Sequence, residues 1–181
     1  MLRESHPWKA ELEQLKLQLL HIASTPLSED VPDFNIEKPL LYSAIVMRRL
    51  IESWKVTDAV RTRKWLVDVY PARPERKDAL MRLTMVGDID AEFDLNVLQS
   101  ASMDAWQLAS ELLHSGFMNW ELNDQLHFSA IYLASKRNST TRLIRLKLFD
   151  YLQLIDLIIT DHVSQSQTSV DCYGKLVVKL S

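Results

Sequence analysis

The chain has 181 residues, 47% of them hydrophobic and 25% charged, with a net charge of −3; this is the composition of an ordinary folded domain and excludes wholesale disorder. Its three glycines, Gly87, Gly116 and Gly174, are too scattered to build the turns that bring backbone amides up to a phosphate, which excludes P-loop and dinucleotide-binding chemistry. A single cysteine, Cys172, an N-terminus without the apolar core of a signal peptide, and apolar runs too short to span a bilayer together predict a cytoplasmic protein with no membrane association.

In chain order, Ser5 and Pro7 mark a helix start, and Trp8, Leu12, Leu15, Leu19 and Ile22 recur at helical spacing behind them. The stripe covers barely two heptads, so it predicts a helix packed on its own domain rather than a coiled coil. Ser24 to Asp33 carries two prolines and three acids and predicts a linker. Asn35 is the candidate cap of a second helix running to about Trp54. Its stripe is Leu40, Ala44, Met47, Ile51 and Trp54, widened by Leu41 and Ile45, as suits a central buried helix. Thr57 to Lys64 predicts a short helical turn. Trp65 to Tyr70 is aromatic and β-branched and predicts a strand ended by Pro71, followed by a basic loop to Asp78 and an ambiguous, strand-like run from Leu80 to Val86.

Charge is segregated along this part of the chain. Residues 61–82 hold seven bases and three acids, whereas residues 83–127 hold eight acids and no Lys or Arg. The acidic block opens with a strict alternation, Asp88, Asp90, Glu92 and Asp94 against Ile89, Ala91, Phe93 and Leu95. Period two predicts a strand with all four acids on one face.

Ser102 is the candidate cap of a third helix through about residue 114, with Trp106, Ala109 and Leu113 on one face and His114 and Gly116 at its end. From 117 to 148 three runs alternate with period two. The sets Met118, Trp120, Leu122, then Leu126, Phe128, Ala130, Tyr132, Ala134, then Ile144, Leu146, Leu148 predict an antiparallel meander with one face on the core. That register sets Trp120 opposite Phe128, centres the turns on Asp124 and on Arg137 to Ser139, and gathers Glu121, His127, Arg145 and Lys147 on the opposite, polar face, with Glu121 facing His127. Asp150 begins a capping-box pattern for a fourth helix over about 150–160, and Val170 to Leu180 predicts a closing hairpin.

The fold expected is a single α+β domain over 1–181, with N-terminal helices packed on a mainly antiparallel sheet that contains the meander; residues 1–60 are the segment that would form a helical subdomain. The acid ladder admits three readings. It pairs with a basic block of the same chain, it offers a surface to a partner, or Asp88, Asp90 and Glu92 hold Mg²⁺ or Ca²⁺ for hydrolysis. The EF-hand pattern fails because Phe93 stands where its glycine belongs. No nucleophile elbow occurs, and Cys172 has no evident histidine partner.

The function expected is therefore a non-enzymatic module, without cofactor, that binds another protein or a second copy of itself through an acidic surface. Its candidate binding residues are Asp88, Asp90, Glu92 and Asp94, and on the polar sheet face Glu121, His127, Arg145 and Lys147. A metal-dependent nuclease or phosphoesterase is the alternative. Nucleic acid is not the expected partner, because the total charge is negative.

Overall fold

The computed structural model describes residues 4–27, 32–73, 89–138, 141–171, 173 and 176–181. Helices α1 (His6–Ser24) and α2 (Phe34–Glu52) lead into a short α3 (Asp58–Thr62) and strand β1 (Trp65–Pro71). There follow α4 (Ile89–Glu92), β2 (Gln99–Met103), α5 (Ala105–Leu113), β3 (Ser115–Leu122), β4 (Phe128–Ser135), β5 (Arg142–Lys147), α6 (Leu148–Thr160), and the hairpin β6 (Ser166–Val170) and β7 (Leu176–Leu180). Five strands form one antiparallel sheet in the order β2-β1-β5-β4-β3, and β6 with β7 form a separate two-stranded sheet. The α+β expectation holds, and so does the meander at its centre.

The helices cover one face of this sheet. On that face Val67 and Val69 of β1, Ile144 and Leu146 of β5, Ile131 and Leu133 of β4, and Met118 and Trp120 of β3 meet a helical layer. That layer is built from Leu12, Leu15 and Leu19 of α1, Leu40, Ala44 and Met47 of α2, Leu108 and Leu112 of α5, and Leu154, Ile155 and Ile158 of α6. Inside it, the fully buried Tyr151 of α6 shares a hydrogen bond of 2.7 Å with Ser43 of α2. Burial pushes the Tyr151 phenol up, so it stays a neutral hydroxyl that can satisfy Ser43.

Several boundaries differ from expectation, each for a local reason. The third helix is capped by Asp104, not Ser102. The Asp104 carboxylate accepts from the backbone of Gln107, whose side chain returns to the Asp104 amide, while Ser102 lies in β2. The buried stripe of α5 is Ala105, Leu108, Ala109 and Leu112, which turns Trp106 outward. In α2 the stripe is widened by Ser43, Val46 and Leu50 rather than by Leu41 and Ile45, and the helix ends before Trp54. Helix α6 begins at Leu148, so Asp150 sits in its first turn rather than at its cap.

The acid ladder is not a strand. Ile89–Glu92 is a single helical turn; Asp88 lies outside the described residues, as do the run from Leu80 to Val86, most of the loop before it, and Cys172. Ile89 and Phe93 satisfy period two, but they are also four apart, the spacing of one helical turn. The turn tucks Phe93, fully buried, against Phe117, Ala134 and Leu143 on the sheet face away from the helices. The meander register also shifts. Trp120 faces Ile131, Glu121 faces Ala130, and Leu122 faces Phe128, leaving Ser129 as a bulge. The bulge inverts the parity of β4, so Ile131 and Leu133 face the core and Tyr132 and Ala134 face away. Asn123 sets the five-residue loop by accepting from the amides of Gln125 and His127.

Candidate functional site

The expected polar sheet face exists in part. Arg145 of β5 donates to both carboxylate oxygens of Glu121, at 2.5 and 2.6 Å, and to Asp68 of β1 at 2.8 Å. These charge-assisted bonds from Arg145 hold the Glu121 carboxyl below its ordinary range. Burial, and then its hydrogen bond to Glu121, push the Tyr132 phenol up to about 12. The expected pairing of Glu121 with His127 does not occur: the bulge carries Glu121 opposite Ala130, and His127 belongs to the loop. Lys147 ends β5 and is exposed. The cluster is closed on itself, since the guanidinium already spans two carboxylates.

The acid block is dispersed rather than gathered. Asp94 lies 3.9 Å from Arg73, Asp104 2.9 Å from Lys64, Glu111 3.6 Å from Arg142, and Glu121 2.5 Å from Arg145. Asp90 accepts from Arg73 through its backbone carbonyl, and Glu92 is buried. On a helical turn Asp90 and Glu92 point to opposite sides, so the common face required by the shared metal site is lost. Among the described residues no group of three or more His, Cys, Asp or Glu side chains could hold a metal ion.

A different site forms on the helical side. Helix α2 ends at Glu52 in a Schellman motif: the amide of Lys55 bonds the carbonyl of Leu50 at 2.9 Å and that of Trp54 bonds Ile51 at 3.1 Å. The left-handed position of this motif normally takes glycine, yet here it holds Trp54, at φ 60°. Trp54 remains 40% exposed, and Trp106, turned outward on α5, is 41% exposed. Both rings line one cavity of about 400 Å³, together with Arg61 and Glu52.

This cavity has a neighbour on each side. Beyond Trp106 lies one of about 440 Å³ between α2, α5 and the β4–β5 turn, lined by Arg48, Arg137, Arg142, His114 and Glu111 among others. Arg48 stacks on the Trp106 ring at 5.0 Å, donates to Glu52 at 2.6 Å, and lies 3.3 Å from Nε2 of His114. The Arg48 guanidinium, donating to Glu52, holds that carboxyl below its usual range. Glu111 accepts from Asn138 at 2.5 Å through one oxygen. Its other oxygen and Nε of Arg142 are buried with no hydrogen-bond partner among the described residues. On the other side, beyond Trp54, lies a cavity of about 340 Å³ lined by Lys9, Lys55 and His162. Lys9 donates to the carbonyl of Asp161, and burial lowers its pKa. Trp106 thus lines both the Arg48 cavity and the central one, and Trp54 lines both the central cavity and the one beside Lys55.

Sequence reasoning had both tryptophans as members of buried stripes, and so missed this groove. The signal that was present is the run from Arg48 to Lys64, which carries six bases and two acids. Compared with protein-family models, with curated proteins and with solved structures, the chain finds no match in any of the three. Among the described residues no helix is long and apolar enough to cross a membrane.

Proposed function

We propose that the protein is a binding module that captures an anionic partner in the groove along α2 and α5. The observation that carries this reading is the cavity beside Trp106, where Arg48, Arg137 and Arg142 face one lining carboxylate, Glu111. Arginine presents five N–H donors in a planar fork suited to phosphate and carboxylate, and Glu52 and His114 engage only part of the Arg48 fork. The volume of this cavity, about 440 Å³, lies in the range of ligand sites. The net charge of −3 does not oppose this. Over a Debye length of about 8 Å at physiological salt, the local cations govern what the groove attracts.

The direct test is a thermal melt in tripolyphosphate against sodium chloride at matched ionic strength. Binding to the folded state raises the melting temperature. The shift is expected for the native chain and lost in a double variant, Arg48→Gln with Arg142→Gln. An equal shift in the double variant, or none in the native chain at millimolar ligand, would remove the groove from this role.

A further inference from the structure

We infer that the partner is single-stranded nucleic acid, its bases stacked on Trp54 and Trp106 and its phosphates held by the cations at the two ends of the groove. The inference rests on the proposed anion-binding role and names the class of anion. Three observations point the same way. First, the groove alternates cationic and aromatic stations. Lys55 lines the cavity beside Trp54, Arg61 lines the cavity that both rings share, and Arg48, Arg137 and Arg142 line the one beside Trp106. A basic groove interleaved with half-exposed aromatic rings is the general solution for single strands, because every base has a π-face and every linkage a charge. An orthophosphate or a carboxylate would use one station and make no use of the Trp54 ring.

Second, the lining charge is complementary. The three cavities are bordered by six Lys or Arg side chains and three Asp or Glu side chains, in a chain whose total charge is negative. Third, Trp54 breaks a local rule. A left-handed helix-end position favours glycine, and a bulky side chain held there costs free energy that folding alone does not require. What that cost achieves is placement, because the backbone reversal brings the ring to the wall shared by two cavities. The series of three cavities is longer than one nucleotide needs and fits a short site, on the order of four nucleotides. A duplex would not fit this role, since its bases are already stacked on one another and cannot reach the rings.

The test uses the full chain and fluorescence anisotropy with a labelled oligothymidylate, its abasic counterpart of equal length, and the oligothymidylate annealed to its complement. Tripolyphosphate serves as the competitor that reads the anion site alone. The single strand is expected to bind tenfold or more tightly than the abasic strand and to quench tryptophan fluorescence. Trp54→Gly should reduce its affinity toward that of the abasic strand while leaving tripolyphosphate affinity unchanged, and Trp106→Leu, which also removes the ring under Arg48, should weaken the single strand more than tripolyphosphate. Trp54→Gly suits the left-handed position, so it keeps the test valid if Trp106→Leu fails to fold. Equal binding of the abasic strand, or tighter binding of the duplex, would overturn the inference while leaving the anion-binding role intact. Binding of neither strand nor tripolyphosphate would overturn both.

Discussion

Arg145 is the residue with the most defined surroundings on the outer sheet face, and it gives a pH dependence with a fixed sign. Its hydrogen bonds hold the Glu121 carboxyl below the ordinary value of 4.5. A carboxyl depressed by folding contributes stability above its unfolded pKa and loses it as pH falls through the folded pKa. Stability is therefore expected to fall with acidification below about pH 4.5, and Glu121→Gln should flatten that part of the profile. At neutral pH the same change should cost about 1 kcal/mol, small because the pair is part-exposed. Urea denaturation at a series of pH values reads both. Trp54→Gly is the second residue-scale case. Relief of a left-handed side chain, worth about 1 kcal/mol, offsets the lost contacts of a half-buried ring. Its unfolding free energy should stay within about 1 kcal/mol of native, whereas a loss beyond 3 kcal/mol, the scale of a core truncation, would show Trp54 to be a core residue and not a site residue.

Among the elements, α5 depends most visibly on a single cap. Asp104 accepts from the Gln107 amide, receives Lys64, and is one half of a capping box. Asp104→Ala should destabilise the protein by about 1 kcal/mol, in the range of lost N-caps, as read by chemical denaturation. The same scale shows what the sequence could and could not reveal. Long helices, the strand after Lys64 and the meander were legible because each repeats one apolar period over many residues. The short α4 was not, because Ile89 and Phe93 satisfy period two and a helical turn at once, and the small core that Phe93 enters decides between them. The β4 register was not, because Phe128 to Ala134 is apolar in both phases and a bulge at Ser129 selects one. Trp106 was misplaced by a single residue of helical phase, which moved the key aromatic of the groove into an imagined core.

For the whole molecule, the segregated charge of the chain finds its meaning in three dimensions. The acidic block is distributed to separate bases, Arg73, Lys64, Arg142 and Arg145, on different parts of the fold. Arg48, Lys55 and Arg61 instead line the same set of adjoining cavities as Lys9, Arg137 and Arg142. Neither end of the groove was legible as a site, because Lys9 and Arg142 are far apart in sequence and meet it only through packing. On the outer sheet face, which looked functional in one dimension, Arg145 is taken up by Glu121 and Asp68.

The central claim is that this groove holds an anionic strand, and salt dependence tests it most directly. Affinity for a short oligothymidylate should fall log-linearly with salt, with a slope of about −0.7 per phosphate engaged, or about −3 for roughly four phosphates. Arg48→Gln should lower the magnitude of that slope by about one phosphate's share. A flat salt profile, or a slope unchanged by Arg48→Gln, would contradict the account.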